Sequence, residues 1–179
     1  MKTEKVKLPS NSVLAKTVYD YSDSYKSIIN NNQHNINSLL VGKAFFSSSP
    51  KWIENLLNFR DRIVAFLGLK TSGETKNKEE ILKDFKGEIG EQLGLFKVFG
   101  KTDNELILGE DDKHLNFRVS LFLGDTESLK KSLIISTTVK FNNWLGKLYF
   151  LFVKPFHKLI VPSMLKGIIK EIEKMSQVD

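Results

Sequence analysis

The arrangement of apolar and polar positions changes character twice along the chain. Trp52, Ile53, Leu56, Leu57, Ile63, Val64 and Leu67 recur at steps of three and four. That spacing predicts an amphipathic helix of about 17 residues. Ser49-Pro50 supplies an N-cap followed by proline at the first helical position, and Gly68 supplies the stop. Asn77 with Glu80 reads as a capping box for a short helix reaching Phe85. From residue 93 the period falls to two. Leu95 to Phe99, Glu105 to Gly109, Lys113 to Leu123 and Leu129 to Phe141 read as four strands joined by polar turns. Links this short require antiparallel pairing, because a parallel crossover takes about a dozen residues or more. After Asn142-Asn143 the helical period returns, with Leu145, Leu148, Tyr149, Phe152, Phe156, Leu159, Ile160, Met164, Ile168 and Ile172 in one stripe to about Met175. Pro155 and Pro162 fall inside it and are expected to kink or interrupt the helix.

The first third of the chain is less patterned. Residues 1–12 are polar and are expected to be loose. Val13, Val18, Tyr19 and Tyr21 suggest a first strand over 13–21, and Ser22 to Asn37 reads as loop or frayed helix. A short helix is expected over 37–46. The order is then strand, one or two helices, antiparallel meander and long helix. It predicts a single α+β domain over 1–179, with a curved antiparallel sheet wrapped around the C-terminal helix. A sheet bent around a helix leaves space between them, so an internal cavity is expected.

Composition narrows the chemistry. The 179 residues include no cysteine, which removes disulfides, thiolate metal sites, cysteine nucleophiles and thiol redox chemistry. With three histidines, and no HExxH, Walker, EF-hand, GxSxG or GxGxxG pattern, neither a metal nor a cofactor is expected. The net charge is +6, and its position matters more than its size: residues 140–174 carry seven Lys against two Glu. Their wide spacing reads as the solvated face of a helix, with an anionic partner or membrane surface as the alternative. A nucleic-acid interface would need a denser basic stripe with interleaved aromatics, so no such partner is expected. The first thirty residues show no signal-peptide core, and the longest apolar run, Leu148 to Val153, is far short of the ~20 residues of a membrane span. A soluble, cytoplasmic protein without a transmembrane segment is the expectation.

Asp112, His114, Asn116 and Arg118 alternate along one predicted strand and share a face, while Leu115, Phe117, Val119 and Leu121 occupy the other. Side by side, these polar groups suit anion binding or proton transfer, and equally suit charge pairing across an exposed sheet face. His157 follows a helix-breaking proline and is either a local cap or a polar group at a cavity mouth. Asn142-Asn143 reads as a helix cap. The hydroxyl of Tyr149 can meet a ligand or a carbonyl. Trp52, Phe45, Phe46, Phe59 and Phe66 read as core, although 13 Phe also suit an apolar pocket.

The segments Pro50-Lys51-Trp52 to Lys70, Leu108-Gly109-Glu110-Asp111-Asp112-Lys113-His114-Leu115-Asn116-Phe117-Arg118-Val119-Ser120, Ser136-Thr137-Thr138-Val139, Leu145-Gly146-Lys147-Leu148-Tyr149 and Val153-Lys154-Pro155-Phe156-His157 together resemble the helix-grip (SRPBCC) superfamily of START lipid-transfer domains and polyketide cyclases. Within it, they resemble a bacterial family of domain-of-unknown-function proteins, over roughly residues 12–170. That resemblance implies a hydrophobic small molecule held in an internal cavity. It offers no catalytic residues to carry over. It also implies a stand-alone member, since no GxGxxG is present to suggest the dehydrogenase-like fusion. The leading expectation is binding or carriage of such a molecule, its polar or anionic end met by Arg118, His114 or His157, with Asp112, Asn116 and Tyr149 beside them. The alternatives are a cyclase-like enzyme using His114 or Asp112 as acid or base, and attachment to an anionic membrane or partner through the C-terminal lysines.

Overall fold

A computed structural model describes residues 2–30, 36–48, 82–126 and 130–175. The helix predicted from Pro50 to Leu67, the capping box at Asn77 and Glu80, and Trp52, Phe59 and Phe66 lie outside the described residues. Seven strands, β1 (Glu4–Val6), β2 (Tyr21–Asn30), β3 (Gln92–Leu93), β4 (Phe96–Lys101), β5 (Glu105–Asp111), β6 (Leu115–Asp125) and β7 (Lys130–Phe141), form one curved antiparallel sheet. Its order is β1-β2-β7-β6-β5-β4-β3. Helix α1 (Ser38–Ser47) follows β2, and helix α2 (Trp144–Met175) follows β7. The architecture is the expected α+β arrangement, with the long C-terminal helix laid on one face of the sheet.

Strand alternation decides which face meets the helices. Leu106 and Leu108 of β5, Val119, Leu121 and Leu123 of β6, Leu133 and Ile135 of β7 and Ile29 of β2 all point inward. They meet Val161, Leu165, Ile168, Ile169 and Ile172 of α2 and Val41, Ala44, Phe45 and Phe46 of α1. Burying each such aliphatic side chain contributes about 1.5–3 kcal/mol. Phe45, Phe46, Phe85, Phe96 and Phe117 fill the α1 end of this core edge-to-face, with centroids 5.2 to 6.1 Å apart. Gly167 lets the two helices touch: a Cβ there would stand 2.9 Å from the carbonyl oxygen of Ser48.

Three expectations need correction. Residues 13–21 are not a strand; Val13–Lys16 forms a 3-10 turn, and the strand begins at Tyr21 and runs through the stretch read as loop. The inward row of β2 is Tyr21, Asp23, Tyr25, Ser27 and Ile29, so polar groups hide its period. Residues 1–12 are not loose throughout, because Glu4–Val6 adds an edge strand to β2. Downstream of it, Glu105 anchors the chain to the outer sheet face: Ser12 Oγ donates to its Oε1 at 2.6 Å and the Val13 amide to its Oε2 at 2.9 Å. Finally, α2 runs unbroken through Pro155 and Pro162.

Two surface clefts stand out, of about 400 Å³ beside Lys5–Leu8 and Ser22–Ser24, and about 230 Å³ between Asp84, Phe85 and Glu91–Leu93. No residue of α2 lines either one, so the expected hollow between sheet and helix is not among them.

Candidate functional site: a polar layer beneath the helix

The inward face of β2 is broken by Asp23 and Ser27 and that of β7 by Thr137, and the breaks at Asp23 and Thr137 coincide. Asp23 and Thr137 are directly opposed in the β2–β7 ladder. Opposed residues of an antiparallel pair stand about 4.5–5.5 Å apart at Cα, so their side chains share one small space. From above, α2 lowers His157 into it. His157 Nε2 lies 3.6 Å from Asp23 Oδ1. From the side, Tyr21 Oη donates a 2.7 Å hydrogen bond to Asp23 Oδ2. Asp23 is 5% exposed and Thr137 4%, and the His157 side chain is 13% exposed.

This layer lies between two hydrophobic clusters, and Phe117 packs against both. Toward the start of α2 lie Leu115, Val139 and Phe150, flanked by Tyr21, Phe141 and Tyr149. Toward its end lies the main core, which takes in Ile135, Val161 and the ring of Tyr25. Each element crosses the boundary in step: Tyr21, Asp23, Tyr25 on β2; Val139, Thr137, Ile135 on β7; Phe150, His157, Val161 on α2.

The layer is incompletely bonded. Among the described residues, Asp23 Oδ1, Thr137 Oγ1 and His157 Nε2 are buried and make no hydrogen bond. The 3.6 Å between Asp23 and His157 exceeds hydrogen-bond length. Leaving a polar group buried and unbonded costs about 1–3 kcal/mol, so three at one place is a concentrated cost that surrounding packing must offset. Burial also sets the protonation states. Desolvation lowers the pKa of His157, and the Asp23 carboxylate opposes this less strongly. At neutral pH the imidazole is therefore uncharged. Burial, and then the hydrogen bond to Asp23, push the Tyr21 hydroxyl upward, which keeps it a donor. Tyr25 is raised for the same first reason, with the Asp23 charge second. The result is one carboxylate oxygen, one hydroxyl and one neutral imidazole nitrogen left without hydrogen bonds where β2, β7 and α2 meet. That set accepts a neutral hydroxyl or N–H group and disfavours a second anion.

The strand cluster singled out from the sequence sits elsewhere. Asp112 and His114 belong to the β5–β6 turn, while Asn116 and Arg118 point to the sheet face opposite α2. Arg118 lies 3.5 Å over the Phe99 ring and pairs with Asp111 at 2.8 Å. The rest of the cluster fastens the start of α2. Asn142 Nδ2 donates to Asp112 O at 2.7 Å and to Asn116 Oδ1 at 2.8 Å. Asn143 Oδ1 takes the Gly146 amide at 3.1 Å and meets His114 Nδ1 at 3.1 Å. With that oxygen as acceptor, His114 Nδ1 is the donor. The Asn142-Asn143 cap is as expected, and it joins turn to helix. Tyr149 lies half-buried in the smaller cluster. Of the residues expected to bind a ligand, His157 alone reaches the polar layer. Asp23, Thr137, Tyr21 and Tyr25 were missed. An aspartate in an alternating Tyr-x-Asp-x-Tyr stretch was the available signal.

A family model matches residues 16–164, and its description is protein of unknown function, DUF2867. The chain belongs to this family. The matched span contains every member of the polar layer. No curated protein and no solved structure matches the chain.

Proposed function

We propose that this DUF2867 protein binds a hydrophobic small molecule that ends in a neutral hydrogen-bond donor. The unbonded trio of Asp23, Thr137 and His157 carries this reading. The ligand's hydroxyl or N–H donates to Asp23 Oδ1, while Thr137 Oγ1 and His157 Nε2 complete its hydrogen bonding. Its apolar body replaces contacts between the first half of α2 and the sheet, where Phe150, Tyr21 and Phe141 supply an aromatic lining. Each Å² of apolar surface so buried contributes about 25 cal/mol. Entry requires the first half of α2 to lift. That half is held by the small cluster around Phe150, whereas the second half is fixed in the main core. The resemblance to helix-grip (SRPBCC) domains supports the same reading. An anionic ligand end, expected while Arg118 and His114 were candidates, is disfavoured beside Asp23.

The test is competition for an apolar fluorescent reporter by a long-chain primary alcohol and by the carboxylate of equal chain length. At neutral pH the alcohol displaces the reporter at least about tenfold more effectively, and Thr137→Val removes about that factor, the worth of one hydrogen bond. Equal or better displacement by the carboxylate, or an unchanged alcohol affinity in Thr137→Val, would overturn the proposal.

A further inference from the structure

The first half of α2 presents large apolar side chains to solvent. Trp144 is 69% exposed, Phe152 67% and Leu159 63%, with Leu148, Leu151 and Phe156 also exposed. At 100° per residue these six fall in one stripe along the helix. It lies on the outer side of α2, away from Phe150 and His157. Lys147, Lys154 and Lys158 follow one edge of that stripe, and Lys166 and Lys170 continue its line beyond Pro162. Between Lys130 and Lys170 the chain holds eight Lys and no Asp or Glu.

Contiguous exposed apolar surface marks a contact site, and the charge pattern selects the occupant. We infer that the first half of α2 lies in the headgroup region of an anionic lipid bilayer, apolar stripe inward and lysines against lipid phosphates. An interfacial helix has this form, with its apolar face sunk about 5–10 Å into the headgroup boundary. A second copy fits poorly. Pairing two such helices would oppose like charges, with no carboxylate from 130 to 170 to offset them. An eighteen-residue window of α2 has mean hydropathy 1.2, so by length and composition the helix is apolar enough to cross a membrane. However, Leu165, Ile168 and Ile169 are wholly buried against the sheet, which ties the helix flat on its own domain. The exposed stripe and the polar layer occupy opposite sides of α2; Lys154 touches both, its Nζ lying 5.0 Å over the Tyr21 ring.

The experiment uses the full chain carrying Trp52→Phe, which leaves Trp144 as the single tryptophan. It is mixed with phosphatidylcholine vesicles with and without phosphatidylserine. Flotation with the phosphatidylserine vesicles, weakening as salt rises, and a blue shift of Trp144 emission are expected. Each lysine near an anionic surface is worth roughly fivefold in partitioning, so the exposed Lys147, Lys158 and Lys166 changed together to Ala should lose on the order of 100-fold. A second variant, Phe152→Ser with Leu159→Ser, alters exposed positions only and should abolish the blue shift while circular dichroism stays unchanged. Three results overturn the inference: no flotation with phosphatidylserine vesicles, equal flotation with neutral ones, or Trp144 already blue-shifted and shielded from acrylamide without vesicles. The last result, with concentration-dependent dimerisation, would assign the stripe to a second copy.

Discussion

At the scale of single residues, the polar layer sets stability against binding. Thr137 Oγ1 is buried without a hydrogen bond, and valine has nearly the same shape without the hydroxyl. Thr137→Val should therefore stabilise the free protein by about 1 kcal/mol, read by urea unfolding, while weakening the alcohol ligand. A destabilised variant would mean that the hydroxyl has a partner. His157 makes a pH prediction. Its folded pKa lies below the ordinary 6.5, so the unfolded chain takes up the proton first as the medium is acidified. The stabilising contribution of its neutral form is complete above about pH 6.5 and is lost as pH falls toward the lowered folded value. Unfolding free energy measured from pH 7.5 downward should fall below about pH 6.5, and His157→Gln should flatten that part of the curve. Thr137 did not announce itself in the sequence, and Asp23 did so only through the Tyr-x-Asp-x-Tyr alternation. Asp23 and Thr137 are neighbours only because β2 pairs with β7, and that pairing is long-range. His157 was singled out because Pro155 was expected to break the helix beside it, and the helix is unbroken there.

At the scale of elements, the sequence was legible where one period ran uninterrupted. β6 alternates from Leu115 to Leu121, α2 keeps its stripe, and Asn142-Asn143 caps it as the residue types suggest. β2 was misplaced because its inward row contains Asp23 and Ser27, so burial there does not show as hydrophobicity. β1 was missed for a different reason: an edge strand of three residues carries mostly charge and leaves no period to detect. The capping junction offers a direct test. A Cβ on Gly146 would lie 2.0 Å from the carbonyl oxygen of His114, too close for any real contact. Gly146→Ala should displace the start of α2 from the β5–β6 turn and cost about 1–3 kcal/mol in urea unfolding. An unchanged midpoint and slope would show that the helix start is not seated on that turn.

At the scale of the molecule, two hydrophobic clusters of unequal size meet across the polar layer, and α2 spans both. Its second half is locked into the main core by Leu165, Ile168, Ile169 and Ile172, whereas its first half is held by the few residues around Phe150 and, at its start, by the Asn142-Asn143 junction. Local opening follows local burial, so amides of 148–157 should exchange with solvent faster than those of 164–172 in native-state hydrogen exchange. Uniform protection along α2 would contradict a lifting first half. The most direct test of ligand binding at the layer is nitrogen-detected NMR of the histidine side chains during titration with the long-chain alcohol. The account predicts that the ring nitrogens of His157 shift with saturation while those of His114, bonded to Asn143, stay fixed. Saturable alcohol binding that leaves His157 unmoved would place the ligand elsewhere and contradict it.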